Sequence, residues 1–420
     1  MSILFDHPPA QRGASSNTWH IVGLLWVAFL LNYINRQLAY SIFPALRSDL
    51  GFTNTQLALV GTLFVWIYSI SSLVLGRLAD VIRKQVLIVA CLLLWSTATL
   101  GSGLSTSPEA FLFWRGMMGV TEALYLPAAI ALIAALHPGE TRSRALALHQ
   151  TAQMTGIIMG GWGGGWMADH VGWRSAFQWL AIAGIAYAPV LWMALRGIST
   201  TPSSKRATSQ SSLPLNSACY WALCLAFAAY CILLWMLYAW FPLHLYEKFR
   251  LSQAESGLAA TLYLQVSTAV GVLVWGAIAD QSVRRWPAAR FGVVGFGILL
   301  CAPFAYAVLA LDSLTWVKAA SIGFGLFAGG LHSNLASAAY DVIPQHDHGF
   351  AVGVLNLIGG ASAGVAVLLG GLWRDTVPLS TLSGWGAMIS VAGSLILLRV
   401  VSVSFPTESV ATRKTLVERR

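Results

Sequence analysis

The chain has 420 residues, of which 57% are hydrophobic and only 10% are charged, and its formal net charge at pH 7 is +9. Soluble domains carry about a quarter charged residues, so this composition excludes an ordinary soluble protein. The basic residues lie in loops between apolar segments, where membrane topology accounts for them, and no nucleic-acid binding is predicted. The five cysteines lie in apolar segments without a CxxC pair, so we predict no disulfide, metal site or other cofactor.

Apolar stretches long enough to cross a bilayer recur along nearly the whole chain. They predict an all-α membrane protein with twelve transmembrane helices and the lipid bilayer as its surroundings. The predicted helices cover residues 19–45, 55–80, 85–106, 109–136, 143–168, 173–196, 217–246, 255–280, 290–311, 314–341, 349–373 and 379–403.

The longest polar break, rich in Ser and Thr, divides these helices into two groups of six. The N-terminal tail lacks the basic, apolar and cleavage regions of a signal peptide, so we expect the first helix to be retained. The predicted organisation is a cytoplasmic tail at 1–18, a six-helix bundle at 19–196, a cytoplasmic linker at 197–216, a second bundle at 217–403 and a cytoplasmic tail at 404–420.

The distribution of Lys and Arg predicts the orientation. Of the 25 basic residues, 17 lie on the side that holds the N-terminus, 7 lie on the opposite side, and Arg36 lies inside the first helix. Because cytoplasmic loops carry the excess of basic residues, both termini are predicted to be cytoplasmic in a multi-pass protein of the inner (plasma) membrane. A monomer is expected.

A short motif occurs twice, at equivalent places in the two halves. Residues 76–85 read GRLADVIRKQ after the second helix, and residues 276–285 read GAIADQSVRR after the eighth. The repetition indicates two pseudo-symmetric bundles that rock about a central site. The acid and the basic pair of each copy predict a gate that forms and releases charged contacts as the bundles separate. The predicted gating residues are Gly76, Asp80, Arg83, Lys84, Gly276, Asp280, Arg284 and Arg285.

These residues resemble the major facilitator superfamily, in which G-x-L-A-D followed by basic residues lies between helices two and three. Val81 and Arg83 depart from the pattern, since an arginine and a glycine are usual there. The segments LNYINRQ, RGMMGVTEALYLP, TRSRALALHQ, GWRSAF and AWFPLHL add a resemblance to its anion:cation symporters, which include hexuronate and galactonate transporters. The resemblance implies uptake of an organic anion, with a proton as co-substrate.

Ionisable residues within the predicted helices are few, and each costs about 2.5–3.5 kcal/mol on insertion scales, so each is expected to have a partner or a function. Arg36 and Arg115 are predicted to attract the substrate carboxylate, because a guanidinium stays charged when buried and binds carboxylates in a bidentate fork. Glu122 is predicted to carry the proton, since an apolar cavity favours its neutral form. The alternatives are a static Arg36–Glu122 pair, and an Arg115 that reaches the headgroups.

One departure affects the coupling. The resemblance implies an aspartate immediately before the helix-one arginine, and this chain has Asn35, which cannot titrate. The protein is therefore expected to move fewer protons for each substrate, or to work as a facilitator or exchanger without proton coupling.

Other polar side chains complete the predicted substrate site. Those on the Arg36 face of helix one follow the i, i+3, i+4, i+7 pattern, and the rest offer hydroxyl, amide or imidazole groups from other helices. For any one of the latter group, a hydrogen bond between helices is the alternative. The predicted residues are Tyr33, Gln37, Tyr40, Tyr68, Gln150, Gln153, Tyr263, Gln265, His332, Asn334 and Asn356.

Three other functions are considered. A spinster-like lipid transporter shares the N-Y-x-x-R and G-x-x-E-A patterns, and a drug exporter is disfavoured because basic residues in the membrane oppose a cationic substrate. An intramembrane enzyme using His332 with Asn334 lacks a carboxylate partner for the histidine in its own helix. No G-x-x-x-x-G-K-[ST] loop occurs, so ATP drive is not supported, and a secondary transporter rather than an enzyme is predicted.

Overall fold

The computed structural model describes residues 16–75, 82–137, 139, 141–198 and 216–417, and these are almost entirely helical. The helices before residue 199 form the first half of the molecule. They are α1 (Ser16–Ser41), α2 (Phe43–Leu50), α3 (Asn54–Leu75), α4 (Lys84–Gly103), α5 (Pro108–Glu122), α6 (Tyr125–Leu136), α7 (Thr141–His170) and α8 (Trp173–Leu195).

The helices after residue 215 form the second half, which also contains a short 3₁₀ helix at Gln345–Asp347. The ends of the long helices agree with the predicted spans to within a few residues at most positions. The helices of the second half are α9 (Ala218–Phe249), α10 (Gln253–Ser282), α11 (Ala289–Ala310), α12 (Leu314–Val342), α13 (His348–Leu372) and α14 (Leu379–Val417).

Eleven helical segments of the described chain are long and apolar enough to cross a membrane, with α5 and α6 counted as one continuous segment. The twelfth long helix is α7, whose 30 residues reach about 45 Å at 1.5 Å per residue. It falls short in apolar character because polar side chains, among them Arg142, Arg144 and Gln150, fill its first half. Together these elements give the predicted twelve-helix architecture.

Three helix ends differ from the prediction. The first predicted helix ran to residue 45, but α1 ends at Ser41 and α2 begins at Phe43, because Pro44 has no N–H to continue the hydrogen-bond ladder. The fourth is interrupted after Glu122, since Pro127 removes the ladder bond to the Ala123 carbonyl. The last helix continues to Val417 rather than ending at 403.

The two halves meet along two seams, α3 against α13 and α7 against α10. In the first seam, Thr62 Oγ1 donates to the Gly364 carbonyl and Trp66 Nε1 donates to the Ala361 carbonyl, each at 3.1 Å. In the second seam, a Cβ added to Gly161 would lie 2.7 Å from the Gly257 carbonyl oxygen. Backbone therefore packs directly on backbone where the halves touch.

Residues 43–54, 169–174 and 247–254 come together at the end of the molecule opposite the described chain termini, which we call the distal end. Arg47 Nη1 lies 3.0 Å from Glu247 Oε1, and Glu247 also pairs with Arg374. The Asp169 carboxylate accepts from the backbone N–H of Ala254 at 2.9 Å, at the start of α10. These contacts join the first half to the second and close the distal end.

Candidate functional site

A buried ion pair lies at the centre of the first half. Arg36 Nε donates to Glu122 Oε2 at 2.7 Å, and the Glu122 side chain is 0% exposed whereas that of Arg36 is 13% exposed. Glu122 is the last residue of α5 and lies midway between Pro108 and Leu136, about 21 Å from either end. Among the residues that the structure describes, it is the one carboxylate at this depth of the helices.

Three aromatic rings surround the Arg36 guanidinium. Its Cζ lies 4.7 Å from the ring centroid of Tyr33, 4.9 Å from that of Phe64 and 4.7 Å from that of Tyr68. Rings at this distance attract a cation through their faces and hold the guanidinium in place while its edge stays available for hydrogen bonds. Tyr33 and Tyr68, both predicted substrate residues, thus lie directly against Arg36.

Arg115 lies behind this cluster. Its Cζ is 5.1 Å from the centroid of the same Phe64 ring, its Nη1 lies 3.5 Å from Met118 Sδ, and the residue is 0% exposed. Within the described chain it has no acidic partner at ion-pair distance, and its Nη2 has no hydrogen-bond partner. Arg115 is therefore a buried cation without a direct ion-pair partner among the described residues, and it does not reach the headgroups. Tyr40, also predicted to bind substrate, is buried and packs against Gly61.

Asn35 points away from the ion pair. Its Nδ2 donates to Thr99 Oγ1 at 2.5 Å and lies 3.8 Å from Met118 Sδ, the same sulfur that contacts Arg115. The position where the resemblance implies an aspartate therefore faces the surroundings of Arg115 rather than those of Arg36.

The amide of Asn32 lies beside the Glu122 carboxylate, one helical turn before Arg36. Both Asn32 polar atoms and Glu122 Oε1 are buried and lack a hydrogen-bond partner among the described residues. Buried polar groups without a partner are costly and are uncommon away from binding sites. Asn32 and Glu122 are therefore polar groups of this cluster whose hydrogen bonds are not all satisfied in the described state.

On the distal side of the ion pair, hydrogen bonds connect α1 to two helices of the second half. Gln37 Nε2 of α1 lies 3.5 Å from the Tyr238 carbonyl oxygen of α9, and the Tyr238 hydroxyl accepts from Gln265 Nε2 of α10 at 2.9 Å. Gln37 and Gln265 are both buried, at 3% and 2% exposed. Two predicted residues from opposite halves thus meet through a tyrosine that was not predicted.

In the described part of the chain, the remaining predicted residues make no hydrogen bond or ion pair with Arg36 or Glu122 and have other neighbours. His332 is exposed and its Nε2 lies 3.0 Å from the Tyr230 hydroxyl. Asn334 is buried and donates to Ser333 Oγ at 2.8 Å, and the Tyr263 ring lies 5.5 Å from Lys318 Nζ. Three of the predicted residues make no contact that assigns them a role: Gln150 and Asn356, which are exposed, and Gln153, which is half-buried.

The duplicated motif is described in part. Gly76 and Asp80 lie outside the described residues, and Arg83 and Lys84 precede or begin α4. In the second copy, Gly276 lies within α10 and Asp280 near its end, where Arg290 Nη2 is 3.8 Å from Asp280 and Nη1 is 2.8 Å from Asp341. Arg284 and Arg285 follow on an exposed turn. Asp280 thus has a basic neighbour in its own half, and the gating role stays a prediction.

Sequence reasoning did not find Asn32, Phe64 or Tyr238. Asn32 precedes Arg36 by four residues, so the helical spacing that selected Tyr33 and Tyr40 also contained the signal for Asn32. Phe64 and Tyr238 had no such signal, because the chain has 18 phenylalanines and 12 tyrosines and nothing in their spacing distinguishes these two.

Membrane-length helices in two packed halves, with a charged pair buried at mid-depth beside the seam, define a polytopic membrane transporter. The family model of the Major Facilitator Superfamily matches residues 25–243 and 223–419, and the chain therefore belongs to this family. The first matched segment covers the first half and extends into α9, and the second covers most of the second half.

Two of the bacterial relatives are named as transporters of sugar acids. The probable galactarate/D-glucarate transporter of Bacillus subtilis is 24% identical to this chain over 426 residues, covering 92% of this chain and 91% of that protein. The D-galactonate transporter of Escherichia coli O6:H1 is 22% identical over 387 residues, covering 85% and 86%. The predicted resemblance to organic-anion transporters of the family is confirmed, as is the prediction of a transporter rather than an enzyme.

A solved structure confirms the fold class. A bacterial homologue of the human lysosomal transporter spinster, in an inward-facing and unoccupied conformation, matches this chain with a TM-score of 0.72 at 18% identity. The match covers 96% of this chain and 98% of that chain. The likeness establishes the twelve-helix, two-bundle architecture.

Proposed function

We propose that this protein takes up a small organic anion, a sugar acid of the hexuronate or aldonate class, together with a proton by alternating access in the plasma membrane. The observation that carries the proposal is the Arg36–Glu122 ion pair at mid-depth, where Arg36 remains partly accessible. The names of the two bacterial relatives support the substrate class.

Arg36 is the group that binds the substrate carboxylate. It is the more accessible of the two buried arginines, and the rings of Tyr33 and Tyr68 fix its guanidinium so that little side-chain freedom is lost on binding. Arg115, behind Phe64, contributes a positive field rather than a contact. The Asn32 amide and the Tyr68 hydroxyl are suited to sugar hydroxyls.

Glu122 couples the proton to the substrate. While Glu122 is ionised, it occupies the Nε donor of Arg36. Protonation of the carboxylate removes this charge, and Arg36 is then free to pair with the carboxylate of the substrate. Because each ligand favours the state that accepts the other, the proton and the anion bind together. With Asn35 in place of an acid, Glu122 supports one proton for each cycle.

The distal contacts form one of the two gates. The Arg47–Glu247 pair, the Asp169 contact to α10 and the Gln37–Tyr238 contact each join one half to the other. Their rupture opens the site toward the distal end, and the duplicated motif at residues 76–85 and 276–285 closes the opposite end in the same step. With both termini cytoplasmic, the closed distal end faces away from the cytoplasm.

A spinster-like lipid transporter is the second candidate, and the aromatic rings around Arg36 together with the fold likeness favour it. The buried charge of Arg115 opposes it, because the acyl chain of a lipid gains nothing from a buried cation. A facilitator or exchanger without proton coupling is the third candidate, and Asn35 is the residue that favours it.

Transport by the purified protein in liposomes distinguishes the three. Uptake of labelled galacturonate, gluconate, galactarate and a lysophospholipid is measured with an inward proton gradient, with the gradient collapsed by an ionophore, and with unlabelled substrate inside. Sugar-acid accumulation that requires the gradient supports the proposal. Uptake of the lysophospholipid alone supports the spinster-like candidate, and sugar-acid exchange that ignores the gradient supports the exchanger.

A further inference from the structure

An apolar groove opens on the outer face of the second half, away from the site between the bundles. It encloses about 300 Å³ between the last two turns of α10 and the first three turns of α11. Ile278, Trp286 and Phe296 line it and are exposed, so the groove faces the surrounding lipid. At 1.5 Å per residue, the groove extends about 15 Å along the helices from the end that holds the termini. This length is about half the thickness of the hydrocarbon core and is enough for much of one acyl chain.

The walls of the groove are fixed. Trp275 Nε1 donates to the Leu326 carbonyl of α12 at 3.0 Å, which holds one wall against the bundle. On the other wall the Trp286 ring occupies the space that a side chain at Gly292 would fill. Glycine at 292 therefore lets the indole approach α11 closely and helps to form the groove.

A basic turn closes the upper end of the groove. The backbone N–H groups of Arg285 and Trp286 both donate to the Ser282 carbonyl, so Ser282 and Trp286, which line the groove, bracket Arg284 and Arg285. Both arginines are exposed, and no ion pair to either is found in the described part of the chain. The nearest acid, Asp280, is directed to Arg290 instead.

We propose that this groove binds an anionic phospholipid, with one acyl chain between α10 and α11 and the phosphate headgroup held by Arg284 and Arg285. The charge complementarity selects this occupant, because exposed arginines at the membrane surface attract anionic headgroups and the groove below them accepts only an apolar chain. Ser282 supplies a further hydroxyl donor at the same level. The groove lies on the outer face of the second half and not between the bundles, so the lipid is a bound partner and not the transported substrate.

Native mass spectrometry of the detergent-purified protein tests the site, with phosphatidylglycerol and phosphatidylcholine of identical chains as probes. Arg284→Gln/Arg285→Gln is compared with Arg142→Gln/Arg144→Gln, which removes two exposed arginines from the same end but away from the groove. The first pair is expected to lower the bound phosphatidylglycerol about fivefold or more and to leave phosphatidylcholine unchanged. Ile278→Trp, which fills the groove, is expected to lower both lipids.

Thermal melting of each variant confirms that it is folded before lipids are compared. Equal loss of phosphatidylglycerol in the two double variants would mean that only overall charge matters and would overturn the proposal. Undiminished phosphatidylglycerol in the Arg284/Arg285 variant, or in Ile278→Trp, would overturn it as well.

Discussion

Arg36 and Glu122, 86 positions apart, share one hydrogen bond of 2.7 Å, and the second oxygen of the carboxylate has no partner in the described chain. A structural ion pair buried at this depth is usually satisfied at every polar atom, because unpaired groups in a dry interior are costly. The unpaired oxygen and the partial exposure of Arg36 instead suit an ion pair that dissociates during transport.

Glu122→Gln is expected to lower gradient-driven accumulation at least about tenfold, while exchange of sugar acid across the membrane continues. The amide cannot take up a proton, yet it leaves Arg36 free to bind the anion. Accumulation and counterflow are measured in the same liposomes. Glu109→Gln, which alters an exposed acid in the first turn of the same helix, is the control and is expected to behave as the unmodified protein. Accumulation that survives in Glu122→Gln would assign proton coupling elsewhere.

Asn35→Asp is expected to raise the KM for sugar acid several-fold at neutral pH. The new carboxylate would lie across Met118 from Arg115. It would offset the charge of this buried arginine, which attracts the substrate in the unmodified protein. The KM should approach its original value as the pH falls and the aspartate becomes neutral. Thr99→Val removes the hydrogen-bond partner of Asn35 without adding charge. If this control raised KM as much, packing rather than charge would explain the effect.

Asp169→Asn is expected to open the distal end more often. The carboxylate binds the positive N-terminus of α10 across the seam, an interaction of about 0.3–1 kcal/mol that a neutral amide largely loses. All five native cysteines are buried, so a cysteine at the buried Thr261 position gives a clear signal. The labelling rate of Thr261→Cys should rise about twofold to fivefold in the Asp169→Asn background.

Asp312→Asn provides the matched control for this experiment. Its carboxylate also lies at the distal end, but it pairs with Lys248 within the second half and does not bridge the seam. Labelling that rises equally with this variant would indicate a general loosening of the distal end. Labelling that rises with neither would show that Asp169 does not hold the seam closed.

Asp49 gives a prediction for pH. The Trp173 indole donates to its carboxylate at 2.8 Å, and Arg174 pairs with the same oxygen, so its pKa lies below the ordinary value of 3.8. A lowered pKa in the folded protein stabilises it at pH values above 3.8, and the contribution is lost as the pH falls through the lowered pKa. Both side chains are partly exposed, so the effect is below about 1 kcal/mol.

Asp49→Ala should therefore lower the Tm at pH 7 by a small amount, and the difference from the unmodified protein should shrink toward pH 3. Thermal melting in detergent across this range is the measurement. A difference that stays constant with pH would show that lost packing, and not ionisation, is responsible.

Hydropathy predicted the spans well because the bilayer requires long apolar helices whatever their neighbours are. The helix breaks at Pro44 and Pro127 were not predicted, although both prolines are visible in the sequence, because a proline is tolerated in many membrane helices. The helix α7 was also assigned as a span, at 143–168, although its first half is polar.

The charged centre could be predicted because Arg36, Arg115 and Glu122 are nearly the only such residues in the helices. The sequence did not predict which of the two arginines is accessible and which is enclosed. Helical periodicity places residues on a face but does not tell which neighbour lies opposite, so it gave no means to separate the accessible Arg36 from the enclosed Arg115. The link from Gln37 through Tyr238 to Gln265 depends on how the halves dock, which no local pattern encodes.

The final helix extends beyond the bilayer segment, and Glu408 in this extension accepts from Ser217 Oγ at 2.6 Å and from the Ala218 backbone N–H at 2.8 Å. The first and last helices of the second half are thereby tied at one end, so this half closes on itself without the chain that precedes it. Two separately expressed polypeptides, divided between residues 199 and 215, should accordingly reassemble in the cell into a working carrier, and shortening the C-terminus before Glu408 should prevent it.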